Sequence, residues 1–150
     1  MSEQAGDERA EALEGIEHEL RTIVRHSKRL VADRAAQIHP EVLPASYYLL
    51  AWLGEHGPAR GTALACEFGV DKAAISRHVR HLFDLGLVER APDPEDGRAH
   101  LIALTPKAAA MVSSAVAERR ATWGMLLGEW SVDDLATLNR LLGRLNETLD

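Results

Sequence analysis

A single cysteine, Cys66, stands in the 150 residues, so no internal disulfide can form and a reducing, cytoplasmic compartment is the expectation. Long apolar runs are missing as well. The longest, around residues 47–53, falls far short of the roughly 20 residues a membrane span needs, which excludes an integral helical membrane protein. The opening MSEQAGDE is acidic and carries no apolar stretch, the wrong character for a secretory leader. Catalytic signatures are absent too. The chain has no glycine-rich phosphate loop, no Gly-x-Ser-x-Gly elbow, no His-Glu-x-x-His and no pair of carboxylates with a positioned partner, so neither an enzyme nor a cofactor is expected.

Positive charge is also in short supply, with 17 Lys and Arg against 23 Asp and Glu and a net charge of −6. Taken alone, that balance argues against binding to nucleic acid, because phosphates are neutralised by cations. Its distribution reverses the reading. Residues 60–107 hold seven basic and seven acidic side chains, so the whole deficit lies in the flanks. Within that neutral segment, residues 72–85 carry Lys72, Arg77 and Arg80 with two histidines against the lone acid Asp84, which leaves room for a local basic face.

What is present is a 46% hydrophobic, 27% charged chain of single-domain size with clear periodicity. The first dozen residues are polar and are expected to be loose. Leu13, Ile16, Leu20, Ile23, Val24, Leu30, Val31, Ala35 and Ile38 then recur at steps of three and four, predicting a long amphipathic helix over about 12–39. Pro44 suits the first turn of a second helix, nearly apolar all round, which Gly57-Pro58 closes. Two short helices follow, over 62–68 and 72–85, separated by Gly69-Val70-Asp71 with Asp71 placed to cap the second. On that second helix Ile75, Val79, Leu82 and Phe83 form the inward face, while Lys72, Ala73, Ser76, Arg77 and Arg80 form the outward one. Gly86 ends it. Residues 87–90 and 99–104 read as two strands around a turn-rich loop, Pro92-Asp93-Pro94-Glu95-Asp96-Gly97. Thr105-Pro106 starts a helix to about residue 130, tightened near Gly124 or Gly128, and Ser131 restarts a last one bearing Leu135, Leu138, Leu141, Leu142, Leu145 and Leu149.

Helix, turn, helix and a hairpin with a charged tip, in this order, make a winged helix-turn-helix, a geometry that puts one helix in the major groove of DNA and the hairpin tip beside it. The fold expected is therefore mainly α, a single domain over 1–150 with a reading lobe at about 57–106 and a two-stranded β-wing. The stretch Ser76-Arg77-His78-Val79, the stretch Leu85-Gly86-Leu87-Val88-Glu89-Arg90 and the wing Asp96-Gly97-Arg98 followed by Leu104-Thr105 resemble the multiple antibiotic resistance regulator (MarR) family over roughly residues 12–149.

That resemblance implies a homodimeric transcription regulator, usually a repressor, whose terminal helices (about 12–39 and 105–149) build the dimer interface and which binds a pseudo-palindromic site on double-stranded DNA. The apolar stripes at both ends of the chain agree with this, although they could also pair within one chain. Arg77 and Ser76 fall where the family pattern places base or phosphate contacts, and Lys72 and Arg80 look like backbone contacts. Ala73 and Ala74 depart from the Ser or Thr often found there, leaving methyl groups that could meet thymine. Arg98 is expected in a narrow minor groove, its guanidinium held by Asp96. The resemblance further implies a small organic effector, with Arg25, His26 and Arg29 of the first helix and Tyr47, Tyr48 and Trp52 of the second as candidates; aromatic residues at such places are more often core. His78 and His81, at i and i+3, lack a ligand partner in metal spacing, so no metal is expected. Cys66 has no basic neighbour to activate it and reads as packing or inert surface. The competing reading is a helical dimer that senses a small molecule or holds a protein partner with only weak DNA contact, and the net charge favours it.

Overall fold

In the computed structural model, which describes residues 2–149, a 37-residue helix α1 (Ser2–Ile38) opens the chain. It starts about ten residues earlier than the apolar periodicity does. Residues 2–12 are rich in Glu, Gln, Ala and Arg, all strong helix formers, and extending an existing helix costs far less than nucleating one. Only its last turns enter the core, through Val31, Ala35 and Ile38. Leu13, Ile16, Ile23, Val24 and Leu30 remain exposed.

Helix α2 (Pro44–His56) begins on Pro44 and ends at Gly57, whose φ of 85° lies in the left-handed region that favours glycine. It is the centre of the core: Ser46, Leu49, Leu50 and Leu53 are all buried. Helix α3 (Gly61–Glu67) and helix α4 (Lys72–Asp84) follow, with Leu64, Ala65, Ile75 and Leu82 buried between and beneath them. The turn between α3 and α4 depends on Gly69 at φ 60° and on Asp71, whose carboxylate accepts from the Ala74 N–H at 2.6 Å. At its far end α4 closes with a Schellman motif. Leu87 N–H donates to Leu82 C=O at 2.9 Å and Gly86 N–H to Phe83 C=O at 2.9 Å, with Gly86 at φ 69°.

Strands β1 (Val88–Pro92) and β2 (His100–Leu104) form an antiparallel hairpin in the register Val88 opposite Leu104 and Pro92 opposite His100. A third segment joins its free side. Ala59 and Ile102 exchange both backbone bonds, at 3.1 and 2.8 Å, so the lead-in to α3 is stitched to the hairpin. Thr105 then ties the hairpin to what surrounds it. Its hydroxyl donates to Gly86 C=O at 2.9 Å and accepts from Ala108 N–H at 3.3 Å, capping helix α5 (Pro106–Leu126). Val112 and Ala108 of α5 are buried.

The chain divides into two compact units, residues 1–115 and 116–150. The second holds the end of α5 and helix α6 (Val132–Leu149). Helix α5 stops at Leu126, four residues short of the expected end, and Leu127 to Trp130 close as turns around Gly128. Ser131 caps α6: its Oγ accepts from Asp134 N–H at 3.1 Å and donates to the Asp134 carboxylate at 2.6 Å. No α6 side chain is buried, and Leu141, Leu142 and Leu149 are exposed, as are Trp123, Met125 and Leu126 of α5. Among the described residues no helix is long and apolar enough to cross a membrane.

Phe83 is the one residue of the expected inward face of α4 that the structure turns out, 52% exposed against 0% for Leu82. At about 100° per residue it stands a quarter turn from Leu82, on the margin of the buried stripe. There it walls a groove of about 750 Å³ between α4 and the hairpin, with Arg80, Arg90 and Leu101.

Candidate nucleic-acid interface

Helix α4 presents a polar face because its other sides are bonded down. Ile75 and Leu82 fix it to the core, and two histidines fix it to distant segments. His78 Nδ1 is hydrogen-bonded at 2.9 Å to the hydroxyl of Ser46, a fully buried residue of α2. His81 Nε2 donates at 2.8 Å to the backbone C=O of Glu41, in the connection between α1 and α2. A carbonyl can only accept, so the His81 proton sits on Nε2. The two histidines therefore hold the helix. With those sides occupied, Lys72, Ala73, Ser76, Arg77 and Arg80 all project as exposed residues.

The wing is braced differently from the expectation. Asp96 does not hold the Arg98 guanidinium; its Oδ1 accepts from the Arg98 backbone N–H at 3.0 Å. A short Asp side chain folds back onto the amide two residues on, a local bond that fixes the turn and leaves the arginine head exposed and free to reach outward.

The wing's ion pair lies elsewhere. Arg60, the residue before α3, donates from Nε to Asp93 Oδ2 at 2.5 Å, while Asp93 Oδ1 accepts from Glu95 N–H at 2.9 Å. The Asp93 side chain is only 4% exposed. The Arg60 hydrogen bond, helped by the Glu95 amide, holds its carboxyl below the ordinary value of 3.8 against the opposing effect of burial, and Asp93 in turn raises Arg60. Two of the three acids in the wing loop, Asp93 and Asp96, are thus committed to internal bonds. The Asp93 charge is offset by the Arg60 guanidinium, which reduces the repulsion it would exert on a phosphate.

The residues singled out for an effector separate. Arg25, His26 and Arg29 are exposed on α1. Tyr47 is buried, 3% exposed, and its hydroxyl finds no hydrogen-bond partner. Tyr48 is exposed and meets the Tyr47 ring edge-on at 6.2 Å. Trp52 is half-buried, its ring stacked on His56 at 4.4 Å, and its indole N–H is likewise without a partner. The Cys66 thiol is free and the residue exposed.

A bonded-down helix with a free cationic face, followed by a braced hairpin with an arginine at its tip, defines a winged helix-turn-helix protein. The profile of the MarR family matches residues 44–100. The HTH-type transcriptional regulator YxaD of Bacillus subtilis is 33% identical over 135 residues, covering 90% of this chain and 93% of that one. The HTH-type transcriptional repressor NicR of Pseudomonas putida is 25% identical over 132 residues, covering 88% and 82%. Among solved structures, the MarR family transcription regulator SP03579 superposes with a TM-score of 0.83 at 21% identity, over 97% of this chain and 95% of that one. The chain belongs to the MarR family of DNA-binding transcription regulators.

Proposed function

We propose that this regulator acts as a homodimeric, ligand-responsive repressor in the cytoplasm, reading a pseudo-palindromic operator with its lobe at about 57–106. The observation that carries the reading is the contrast between α4 and the chain ends. Helix α4 offers Lys72, Ala73, Ser76, Arg77 and Arg80 outward from a fixed position, and Arg98 projects from the wing tip. Helix α1 meanwhile leaves Leu13, Ile16, Ile23 and Val24 uncovered, and helix α6 leaves Leu141, Leu142 and Leu149 uncovered, two apolar stripes that suit a partner surface. A second copy is the partner that supports both features at once, because a two-fold dimer covers apolar stripes and sets two reading helices on one side of a duplex. Half-sites then lie about one helical turn, roughly 10 base pairs, apart. The repressor sense is supported by NicR, which is named a repressor. The effector reading is supported by the cationic Arg25 and Arg29 and by the unpartnered indole N–H of Trp52, which a polar ligand group could satisfy.

Light scattering of the full chain and of a chain lacking residues 131–150, together with selection of bound duplexes from random oligonucleotides, tests the reading. The full chain is expected to be a dimer that enriches an inverted repeat, and the truncated one to lose both properties. A folded, monomeric truncation that binds the same site as tightly refutes the dimeric part. For the effector, a thermal-shift screen is repeated on Trp52→Ala; a compound that raises the melting temperature and lowers DNA affinity in the parent alone supports it. The ligand must bind the DNA-competent and DNA-incompetent states with different affinities, since equal binding shifts nothing.

A further inference from the structure

We propose that the crevice between the start of α3, the first turn of α4 and the foot of β2 seats one phosphate of the DNA backbone, with the Lys72 ammonium, the Thr62 hydroxyl and the His100 ring as its donors. The inference rests on the assignment of α4 to the major groove and of the wing tip to the neighbouring minor groove. Those two grooves are separated by a sugar–phosphate ridge, so a protein occupying both must leave a channel for that ridge between helix and wing. The channel is present. It measures about 310 Å³, and its walls include Thr62, Lys72, Ser76 and His100 over a floor of Ile75. That is about ten times the roughly 30 Å³ share of one liquid water, room for a phosphate with its ester oxygens and some hydration.

Charge agrees with shape. No carboxylate lines the crevice; Asp71, next to Lys72, accepts from Ala74 N–H, and Asp93 is paired with Arg60. The Asp71 bond also takes up an amide at the start of α4, so the seat relies on side chains. Thr62, Lys72 and His100 are exposed and make no contact that holds the fold, which leaves their donors to an incoming anion. Arg60 also borders the crevice, but its Nε is committed to Asp93, and it acts as a positioning residue that holds the wing wall at its distance from α4.

The test measures affinity for the selected duplex across a salt series, for the parent and for Lys72→Ala, Thr62→Ala and His100→Ala, using duplexes in which single phosphates are replaced by neutral methylphosphonate. A cation on one phosphate contributes counterion release that scales as salt to the power of about −0.9, or about fivefold at roughly 0.15 M. Lys72→Ala is therefore expected to weaken every sequence alike by about fivefold and to flatten the log–log salt slope by about 0.9. Thr62→Ala removes a neutral donor and should lower affinity with the slope unchanged. One methylphosphonate position should weaken the parent by a larger factor than it weakens Lys72→Ala or His100→Ala, because each variant has already lost one of the contacts to that phosphate. If the parent binds its duplex while Lys72→Ala keeps the full salt slope, or if every methylphosphonate weakens parent and variants equally, the crevice holds no phosphate. If the parent selects no duplex at all, the DNA-reading assignment falls and this inference with it.

Discussion

Replacing Gly54 by Ala sets two effects of similar size against each other. In the last turn of α2 the change gains up to about 1 kcal/mol of helix propensity. A methyl at this position, however, lies 2.7 Å from Val112 Cγ1 of α5, with Leu104 Cδ1 at 3.7 Å. Carbon atoms prefer about 3.5–4.0 Å, so the overlap is close to an ångström. Val112 cannot easily yield. It is 2% exposed, and a β-branched side chain in a helix is confined to essentially one χ1 rotamer. Overpacking of this kind costs about 1–3 kcal/mol, so Gly54→Ala should destabilise by about 1 kcal/mol net. Val112→Ala alone removes two buried carbons and should cost about 2 kcal/mol. In that background the nearest remaining atoms are Leu104 Cδ1 at 3.7 Å and the residue 112 Cβ at 3.8 Å, both ordinary contacts, and Gly54→Ala should become stabilising by up to about 1 kcal/mol. Urea unfolding of the four proteins at one protomer concentration closes the cycle, with midpoints compared at constant slope. A Gly54→Ala protein that is more stable than the parent in both backgrounds would show that α2 and α5 do not approach this closely.

Further outcomes follow from the bonds that orient α4 and the wing. Ser46→Ala removes the fully buried hydroxyl bonded to His78 and should cost about 1 kcal/mol of stability, with DNA affinity falling beyond what the unfolded fraction explains; unaltered affinity would show that His78 does not set the helix. The Asp93 carboxyl is depressed below 3.8, so the stabilisation it gives is complete above that value and disappears as pH falls through the lower folded-state value. Melting temperature should therefore drop more steeply below about pH 4 in the parent than in Asp93→Asn, and parallel profiles would contradict the assignment. Arg77→Ala should cost about 1–3 kcal/mol and relax preference at one base position in each half-site, which selection from randomised duplexes would reveal. Arg98→Ala should instead weaken binding most where the flanks are rich in A·T pairs, and an equal loss on G·C flanks would count against minor-groove reading.

Features governed by neighbours in the chain were legible in the sequence. The Asp71 cap, the Gly86 stop, Thr105-Pro106 and the Ser131 cap each obey a rule that spans four residues or fewer, and each is present in the structure. Bonds that cross the fold were not. Ser46 and His78 stand 32 residues apart and Arg60 and Asp93 33 apart, and nothing in the spacing of those residues marks them as partners. Asp96 shows a subtler limit: a carboxylate two residues before an arginine has both a guanidinium and an amide within reach, and the amide, fixed by the turn, wins. Phe83 failed for a geometric reason, since a residue at the edge of an apolar stripe has its burial decided by the neighbouring element.

Thr105 has a mechanical consequence. Its hydroxyl joins the carbonyl of Gly86, just past the end of α4, to the Ala108 amide in the first turn of α5, while its own N–H holds Leu87 C=O at 3.1 Å. The far end of α4, the last residue of the hairpin and the root of α5 therefore share one fastening. A rotation of α4 cannot be absorbed as free play at Gly86, because that carbonyl is already engaged; it is passed to the root of α5 through Thr105. Val at position 105 would keep the shape and the bond to Leu87 but remove the hydroxyl link between Gly86 and Ala108, loosening the coupling of α4 to α5.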